Sequence, residues 1–332
     1  MLRRIRRSAG NLLGVLGLAL SAGTAQAGQS TSLLLPPDWY PESVAVGPDG
    51  AFYVGSWRQG AIAKIDPATS EAKIFVPPGS NGLANTQGLL VDAKAKLLWV
   101  CSGTMGFTTV PMRPSALKSF DLETGAAKGD YLMPDSGYCN DVAQDEAGNI
   151  YVTDSLHPRI MRLRPGESAL SVWKEDSAFS TGGEFHLNGI ALDRRGRVYV
   201  SMVAAVPYLL RLDIMADGVA GSVHQIEADR LLKNADAIRV EGNDRIVIFE
   251  SDAFGTDGDF GGAVSVATVS GNRLTHLRTV LAGLNQPSSG IVVAGRVYVV
   301  ESKYPILLRH KGNEKAIPRD VPFDILSAPL VD

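Results

Sequence analysis

Apolar and polar residues alternate in short runs along most of the chain, which is the period expected of half-buried β-strands. Turn residues separate neighbouring runs, as at Pro48-Asp49-Gly50 and at residues 146–149, and such turns join adjacent antiparallel strands. Helical periodicity is nearly absent, although residues 227–234 could form one or two helical turns. The pattern therefore predicts an all-β protein.

One unit recurs six times: a polar residue, an apolar strand, a turn containing Gly or Asp, and a second strand. The lead residues of the six units are Glu42, Gln87, Asn140, Asn188, Asp236 and Ser289. They lie 45, 53, 48, 48 and 53 positions apart. This spacing is typical of a four-stranded propeller blade rather than of a solenoid repeat.

Further strands are predicted after each unit. Third strands are predicted to begin at Ala61, Ala116, Arg159, Tyr208, Ala263 and Ile306, and more polar fourth strands cover residues 72–76, 170–173 and 274–280. The sequence thus predicts a six-bladed β-propeller with four-stranded blades. We expect the strand after Ser32 to complete the last blade, since joining both termini in one sheet removes an open edge; the segment from Glu314 is the alternative.

The first 27 residues have the layout of a cleavable export signal. Four arginines, at positions 3, 4, 6 and 7, precede an apolar run that ends in Ala25-Gln26-Ala27. We therefore expect a signal peptide over residues 1–27, a propeller domain over residues 28–332, and a periplasmic or secreted protein. Loss of the four arginines changes the formal net charge from −3 to −7.

The remaining composition excludes several functions. No basic run suggests nucleic acid as a partner, and no later segment is long and apolar enough to span a membrane. The sequence lacks the Gly-x-Ser-x-Gly motif that is typical of serine hydrolases. Cys101 is predicted to end the second strand of blade two, and Cys139 to precede the inner strand of blade three. The two cysteines form either a disulfide or two free thiols.

The six lead residues all carry a side-chain oxygen, although the strands they introduce are apolar. Inner strands of a propeller begin at one face, so these residues are predicted to surround the central channel. Asn, Asp and Ser can instead cap turns, a role that suits a Glu or Gln poorly. Two carboxylates and two amides form an oxygen set that suits Ca²⁺ or another divalent cation better than zinc. These candidate ligands are Glu42, Asn140, Asn188 and Asp236.

The four candidate ligands, with residues 138–142 and 187–191 around two of them, resemble the metal quartet of the gluconolactonase/regucalcin family. Paraoxonase and diisopropylfluorophosphatase propellers are similar at the same places. The resemblance covers essentially the whole chain after residue 27. It implies a calcium-dependent hydrolase acting on a small-molecule lactone or related ester, with the metal polarising the carbonyl group.

The resemblance also implies individual roles. Asp236 would be the catalytic acid/base or nucleophile, Glu42 the anionic anchor opposite it, and the two asparagines the remaining ligands. Candidates for contacts to the substrate or to the metal ligands are Gln87, Tyr138, Asp141, His186 and Ser289; of these, His186 would serve as a proton shuttle. The sequence departs from the family where Ser43-Val44 follows Glu42 and where Tyr138-Cys139 replaces an Arg common in sugar-lactone enzymes.

Two other functions use the same fold and metal: a non-catalytic propeller that binds a ligand or protein partner, and a phosphotriester hydrolase. Strictosidine-synthase-like propellers lack the full acidic quartet, so the presence of both Glu42 and Asp236 argues against a function of that kind. The loops on the metal face carry large apolar side chains, which suit an apolar or aromatic substrate or serve only for packing. These side chains are Trp39, Tyr40, Trp57, Met105, Phe107 and Met112.

Overall fold

The computed structural model describes residues 32–253, 255 and 257–330, and the strands in these ranges form six four-stranded antiparallel sheets. The structure confirms the predicted six-bladed β-propeller. The predicted signal peptide, residues 1–27, lies outside the described residues. Among the residues that are described, no helix has the length and apolar character needed to span a membrane.

The first described strand, β1, covers Leu33–Leu34 and belongs to the last blade. Blade one consists of β2 (Pro41–Val46), β3 (Phe52–Ser56), β4 (Ala61–Asp66) and β5 (Glu71–Val76). Blade two consists of β6 (Asn85–Asp92), β7 (Leu97–Gly103), β8 (Ala116–Asp121) and β9 (Ala127–Leu132). Blade three consists of β10 (Cys139–Gln144), β11 (Ile150–Asp154), β12 (Arg159–Leu163) and β13 (Ser171–Glu175).

The second half of the ring repeats this order. Blade four consists of β14 (Leu187–Leu192), β15 (Arg197–Met202), β16 (Leu209–Asp213) and β17 (His224–Ile226). Blade five consists of β18 (Ala235–Glu241), β19 (Arg245–Glu250), β20 (Gly262–Ser270) and β21 (Arg273–Leu284). Blade six consists of β22 (Pro287–Val293), β23 (Arg296–Glu301), β24 (Asp324–Pro329) and the N-terminal strand β1.

The N-terminal strand closes the ring, as the sequence predicted. Leu33 pairs with Ile325 and Leu34 with Asp324, antiparallel, at the outer edge of blade six. The segment from Glu314, the alternative, forms only a short 3₁₀ turn. Pairing β1 with the C-terminal strand covers one edge of that strand, so both ends of the chain are held in one sheet.

The third strand predicted at Ile306 is wrong. That segment lies in a short helix, α1 (Tyr304–Leu308), and β24 takes the third position of blade six. Pro305 explains the difference, because proline cannot donate to a strand ladder but is well tolerated in the first turn of a helix. The helical turns predicted at residues 227–234 are also wrong, since this segment is irregular.

Adjacent blades pack face to face and share the protein's core. Six clusters of buried apolar residues lie at the six blade-to-blade interfaces; one of them packs Tyr53 and Ile62 of blade one against Leu98 and Phe120 of blade two. Both faces of each sheet are therefore buried, and the polar lead residues are exceptions within otherwise apolar inner strands.

Cys101 and Cys139 form a disulfide that joins β7 of blade two to β10 of blade three, with their Cα atoms 5.1 Å apart. This resolves the two alternatives that the sequence left open. The bond lies one residue before Asn140. It therefore links two blades immediately beside a candidate metal ligand.

Candidate functional site

A β-bulge near the start of the inner strand contains the lead residue in five of the six blades. In blade one, Pro41 pairs with Ser56 and Val44 with Val54, so Glu42 and Ser43 together oppose Gly55 alone. The same irregularity occurs in blades two to five, whereas in blade six the extra residue is Ser288 and Ser289 pairs with Val300. The lead residues therefore lie inside the inner strands, whereas the sequence had predicted them immediately before these strands. Such bulges re-aim side chains and are common beside functional sites.

The bulges bring the four candidate metal ligands to the floor of one cavity of about 280 Å³. Gln87 and Tyr138 also line this cavity. The walls come from apolar side chains, including Trp57, Met105 and Phe107, which are three of the six large apolar residues expected from the sequence. Trp39 and Tyr40, by contrast, lie in the core between blades six and one. The site is therefore a polar floor beneath an apolar pocket.

Asp141 and Ser289 lie on the channel side of the four ligands, in a narrow void that the same ligands also border. Arg239 of blade five connects them: its guanidinium donates to Asp141 Oδ2 at 3.0 Å and to Ser289 Oγ at 3.0 Å. The second Asp141 oxygen accepts from the Val142 backbone N–H at 2.9 Å. These two predicted residues thus support the floor of the cavity from below.

His186 has a different environment from the other candidates. Its Nδ1 accepts a hydrogen bond from the backbone N–H of Thr181 at 3.3 Å, and its side chain is partly exposed. The neighbouring Phe185 lines the cavity. Burial lowers the pKa of His186 below its usual value, with a further lowering from His157. The structure therefore places this imidazole against a loop and not among the four ligands.

Hydroxyl groups of neighbouring blades fix the backbone of three ligands. Thr153 donates to the Asn188 carbonyl at 2.6 Å and Ser201 to the Asp236 carbonyl at 2.6 Å. Ser288 of blade six donates to the Glu42 carbonyl of blade one at 2.8 Å. Each bond crosses a blade-to-blade interface, so ring closure itself holds the ligands at fixed positions.

The two carboxylates on the floor are unfavourable in charged form. Burial raises the pKa of Glu42 well above its usual range, and the negative charges of Asp236 and Asp141 raise it further. Burial likewise raises the pKa of Asp236 to about 7, against a lowering by its hydrogen bond from Asn188. Repulsion and desolvation act together here, because both acids face the same enclosed volume.

The residues present fit a divalent cation. Glu42 is 6 % exposed, and its buried Oε2 has no hydrogen-bond partner among the described residues. A cation at the floor would satisfy this oxygen and offset the repulsion between the two acids. No group of three or more His, Cys, Asp and Glu side chains with metal-binding spacing occurs in the described part of the chain. The candidate ligand set is of a different kind, because two of its four ligands, Asn140 and Asn188, contribute amide oxygens.

Two neutral phenols overlook the floor. Burial raises the pKa values of Tyr138 and Tyr304 well above the usual value, and the charge of Glu42 raises both further. Tyr138 was a candidate from sequence, whereas Tyr304 was missed because it precedes the segment from Ile306 that was predicted to be a strand. Arg239 was also missed, although an arginine within the apolar run of β18 was a signal that could have identified it.

Solved structures with the same fold support the resemblance inferred from sequence. A gluconolactonase from Xanthomonas campestris shares 16% identity over 95% of this chain and 94% of its own, with a TM-score of 0.61. A putative gluconolactonase shares 15% identity over 92% and 93% of the two chains, with a TM-score of 0.62. A calcium-binding protein, regucalcin from Agrobacterium tumefaciens, shares 13% identity over 88% and 92%, with a TM-score of 0.60.

No protein-family model matches the chain, and no curated protein matches its sequence. At 13–16% identity these structures show a shared fold, and a fold alone does not determine an activity. The function must therefore be argued from the cavity and its floor.

Proposed function

We propose that this protein is a divalent-cation-dependent hydrolase of lactones or related esters, and that the cation is calcium. The observation that carries the proposal is the convergence of four oxygen-bearing side chains from four inner-strand bulges on one cavity floor, where a buried oxygen of Glu42 lacks a partner among the described residues. Oxygen ligands of mixed charge suit calcium. Two structurally similar proteins, a gluconolactonase and the calcium-binding protein regucalcin, agree with this chemistry.

Glu42, Asn140, Asn188 and Asp236 would hold the cation. When bound, a divalent cation polarises an ester carbonyl and stabilises the negative charge that develops on its oxygen. The two asparagines contribute neutral dipoles and leave the site with two negative charges from Glu42 and Asp236. This charge balance suits a hard dication and an uncharged substrate.

Asp236 is the residue we assign to the proton transfer or the nucleophilic attack. Its carboxylate lines the cavity, and its backbone carbonyl is fixed by Ser201. Asn188 hydrogen-bonds the side chain, which restricts its orientation. As a base it would take the proton of an attacking water, and as a nucleophile it would attack the carbonyl carbon itself.

Tyr138 and Tyr304 are the hydrogen-bond donors of the site. Their pKa values are raised by burial, so both phenols stay protonated beside the carboxylates. A neutral phenol can donate to the carbonyl oxygen or to the leaving alkoxide oxygen of an ester. The two phenols thus offer hydrogen-bond donors to a bound substrate.

We also propose that the protein acts in an exported compartment, either periplasmic or extracellular. The arrangement of the first 27 residues supports export. The Cys101–Cys139 disulfide agrees with it, because structural disulfides persist mainly in oxidising compartments.

Hydrolysis of a panel of lactones and carboxylic esters, with calcium and with chelator, tests the proposed activity. We expect turnover that chelator abolishes and calcium restores, and that Asp236→Asn lowers by at least about 10²-fold. Asp217→Asn, at an exposed hairpin between β16 and β17, is the matched control and should leave turnover unchanged. Chelator-insensitive turnover, or none on any substrate, would refute the proposal.

A further inference from the structure

The walls of the cavity are chemically different from its floor. Ten of the lining side chains are apolar or aromatic, and no arginine, lysine or histidine occurs among the described lining residues. The wall residues are Trp57, Met105, Phe107, Tyr138, Phe185, Val203, Ala253, Tyr304, Leu307 and Leu308. We infer that the cavity binds lactones or esters whose non-reacting part is aliphatic or aromatic, and that it disfavours polyhydroxylated sugar lactones. This inference rests on the proposed function for the identity of the reacting group.

Two elements outside the regular blades build this wall. The loop between β7 and β8 supplies Met105 and Phe107, and helix α1 supplies Tyr304 and Leu307. Trp57 joins them, with its ring centroid 5.9 Å from that of Phe107 and 5.1 Å from that of Tyr304. The helix replaces the strand that the repeat predicted in blade six, so the apolar wall is a specific addition to the propeller and not a product of its repeat.

Ser155 also lines the cavity, but its hydroxyl is already used, since it donates to the Leu187 carbonyl at 2.6 Å. A sugar lactone would bring several hydroxyl groups into contact with the aromatic and aliphatic wall. Each hydroxyl left without a partner there is costly, whereas each methylene removed from water is favourable.

The size and the mouth of the cavity limit the substrate further. Its volume of about 280 Å³ corresponds to roughly nine water molecules at about 30 Å³ each. Met105 and Leu308 line the cavity and are also 43 % and 57 % exposed, so they mark its mouth. A ring and a short chain fit inside, and a longer chain extends past these two side chains toward solvent.

Three δ-lactones with the same six-membered ring test this inference: δ-valerolactone, δ-decanolactone and D-glucono-δ-lactone. Each kcat/KM is divided by the uncatalysed hydrolysis rate at the same pH, because the intrinsic reactivities of the three differ. We expect a rise of about fourfold for each methylene that enters the cavity, so δ-decanolactone should exceed δ-valerolactone at least tenfold. Glucono-δ-lactone should fall at least a hundredfold below δ-decanolactone.

A variant at the mouth links this preference to the wall. Leu308→Ser should reduce the ratio of kcat/KM for δ-decanolactone over δ-valerolactone by about fivefold. Leu132→Ser is the matched control, since Leu132 is 60 % exposed but lies at the end of the outer strand of blade two. The control variant should leave the ratio as it is in the unmodified protein.

Calorimetric binding of the corresponding lactams separates the inference from the proposed function, because lactams resist hydrolysis. We expect δ-decanolactam to bind at least tenfold more tightly than D-glucono-δ-lactam. Equal or reversed preferences, in binding or in corrected kcat/KM, would overturn the inference while leaving the hydrolase proposal in place. Tight binding of δ-decanolactam without turnover of any lactone or ester would refute the hydrolase proposal and uphold the apolar preference.

Discussion

Arg239 of blade five donates to the Asp141 carboxylate of blade three across the central channel at 3.0 Å, beside the candidate metal site. The same guanidinium reaches Ser289 of blade six at 3.0 Å. The guanidinium therefore pairs with Asp141 and leaves the acids of Glu42 and Asp236 for a cation.

Breaking this pair is expected to destabilise the protein strongly. Asp141→Asn removes the carboxylate that accepts from the Arg239 guanidinium, and breaking such a pair inside a protein costs about 3–5 kcal/mol. Urea unfolding measures the change. The matched control, Asp229→Asn, breaks the exposed pair with Arg273 and should cost at most about 1 kcal/mol.

A second variant tests the cause of that loss. Asp141→Asn combined with Arg239→Met removes both charges, so the double variant should be more stable than Asp141→Asn alone. If Asp141→Asn proves as mild as Asp229→Asn, the channel pair has no structural importance.

Calcium is expected to bind and stabilise the protein through Glu42. At about 100 times its Kd, calcium should add about 2.7 kcal/mol to the free energy of unfolding. Glu42→Gln removes one of two ligand charges and should weaken calcium binding at least about tenfold by calorimetry. Glu123→Gln, an exposed acid in the turn between β8 and β9, makes the same change in net charge and should not affect binding. Calcium affinity that is unaltered in Glu42→Gln would contradict the assigned ligand set.

The metal-free protein should lose stability as the pH rises. The pKa of Asp236 is about 7 in the folded protein and near 3.8 when unfolded, because burial disfavours the carboxylate. Folding therefore favours the protonated acid, and its contribution is full below the unfolded pKa and lost as the pH rises through 7. One proton corresponds to roughly 1.4 kcal/mol per pH unit between pH 5 and 7.

Urea unfolding in chelator at pH 5, 6, 7 and 8 measures this dependence. Asp236→Asn should reduce the slope by the contribution of one proton. Saturating calcium should flatten it in the unmodified protein, since the bound cation favours the carboxylate form. A slope that is the same in Asp236→Asn and in the unmodified protein would show that another group is responsible.

The repeat, the blade number and the closure of the ring were predictable because they depend on local patterns. Each blade repeats an alternating apolar strand and a polar lead residue, and the period of such alternation survives without tertiary information. The grouping of Glu42, Asn140, Asn188 and Asp236 in one cavity then followed from the direction of the inner strands. The resemblance to gluconolactonase and regucalcin propellers rested on the same four positions, and solved structures of both kinds share the fold of this chain.

The sequence was less informative where a residue's role depends on contacts between distant elements. Helix α1 occupies a segment whose apolar residues also suited a strand, and only Pro305 argued otherwise. Tyr304 enters the site through that helix. Arg239 and Asp141 meet from strands 98 positions apart, a pairing that alternation in either strand cannot indicate.

The Cys101–Cys139 disulfide is expected to stabilise both the fold and the ligand Asn140. It closes a segment of 38 residues, for which the loss of chain entropy in the unfolded state corresponds to about 4 kcal/mol. The double variant Cys101→Ala/Cys139→Ala should lose stability of this order in urea unfolding. Calcium binding should weaken as well, because the bond fixes β10 one residue before Asn140. A double variant with full stability and unaltered calcium affinity would show that the bond has neither role.

Tyr304→Phe is expected to slow hydrolysis without affecting the fold. Its phenol is held neutral, because burial and the charges of Glu42 and Asp236 raise its pKa, and it can donate to the substrate. Loss of one such hydrogen bond should lower kcat/KM about tenfold for an alkyl ester. A p-nitrophenyl ester, whose leaving group needs no proton, should be affected less if Tyr304 protonates the leaving oxygen. Tyr208→Phe, at a partly buried residue just before β16, is the control; equal rates for both variants on every substrate would exclude this role for Tyr304.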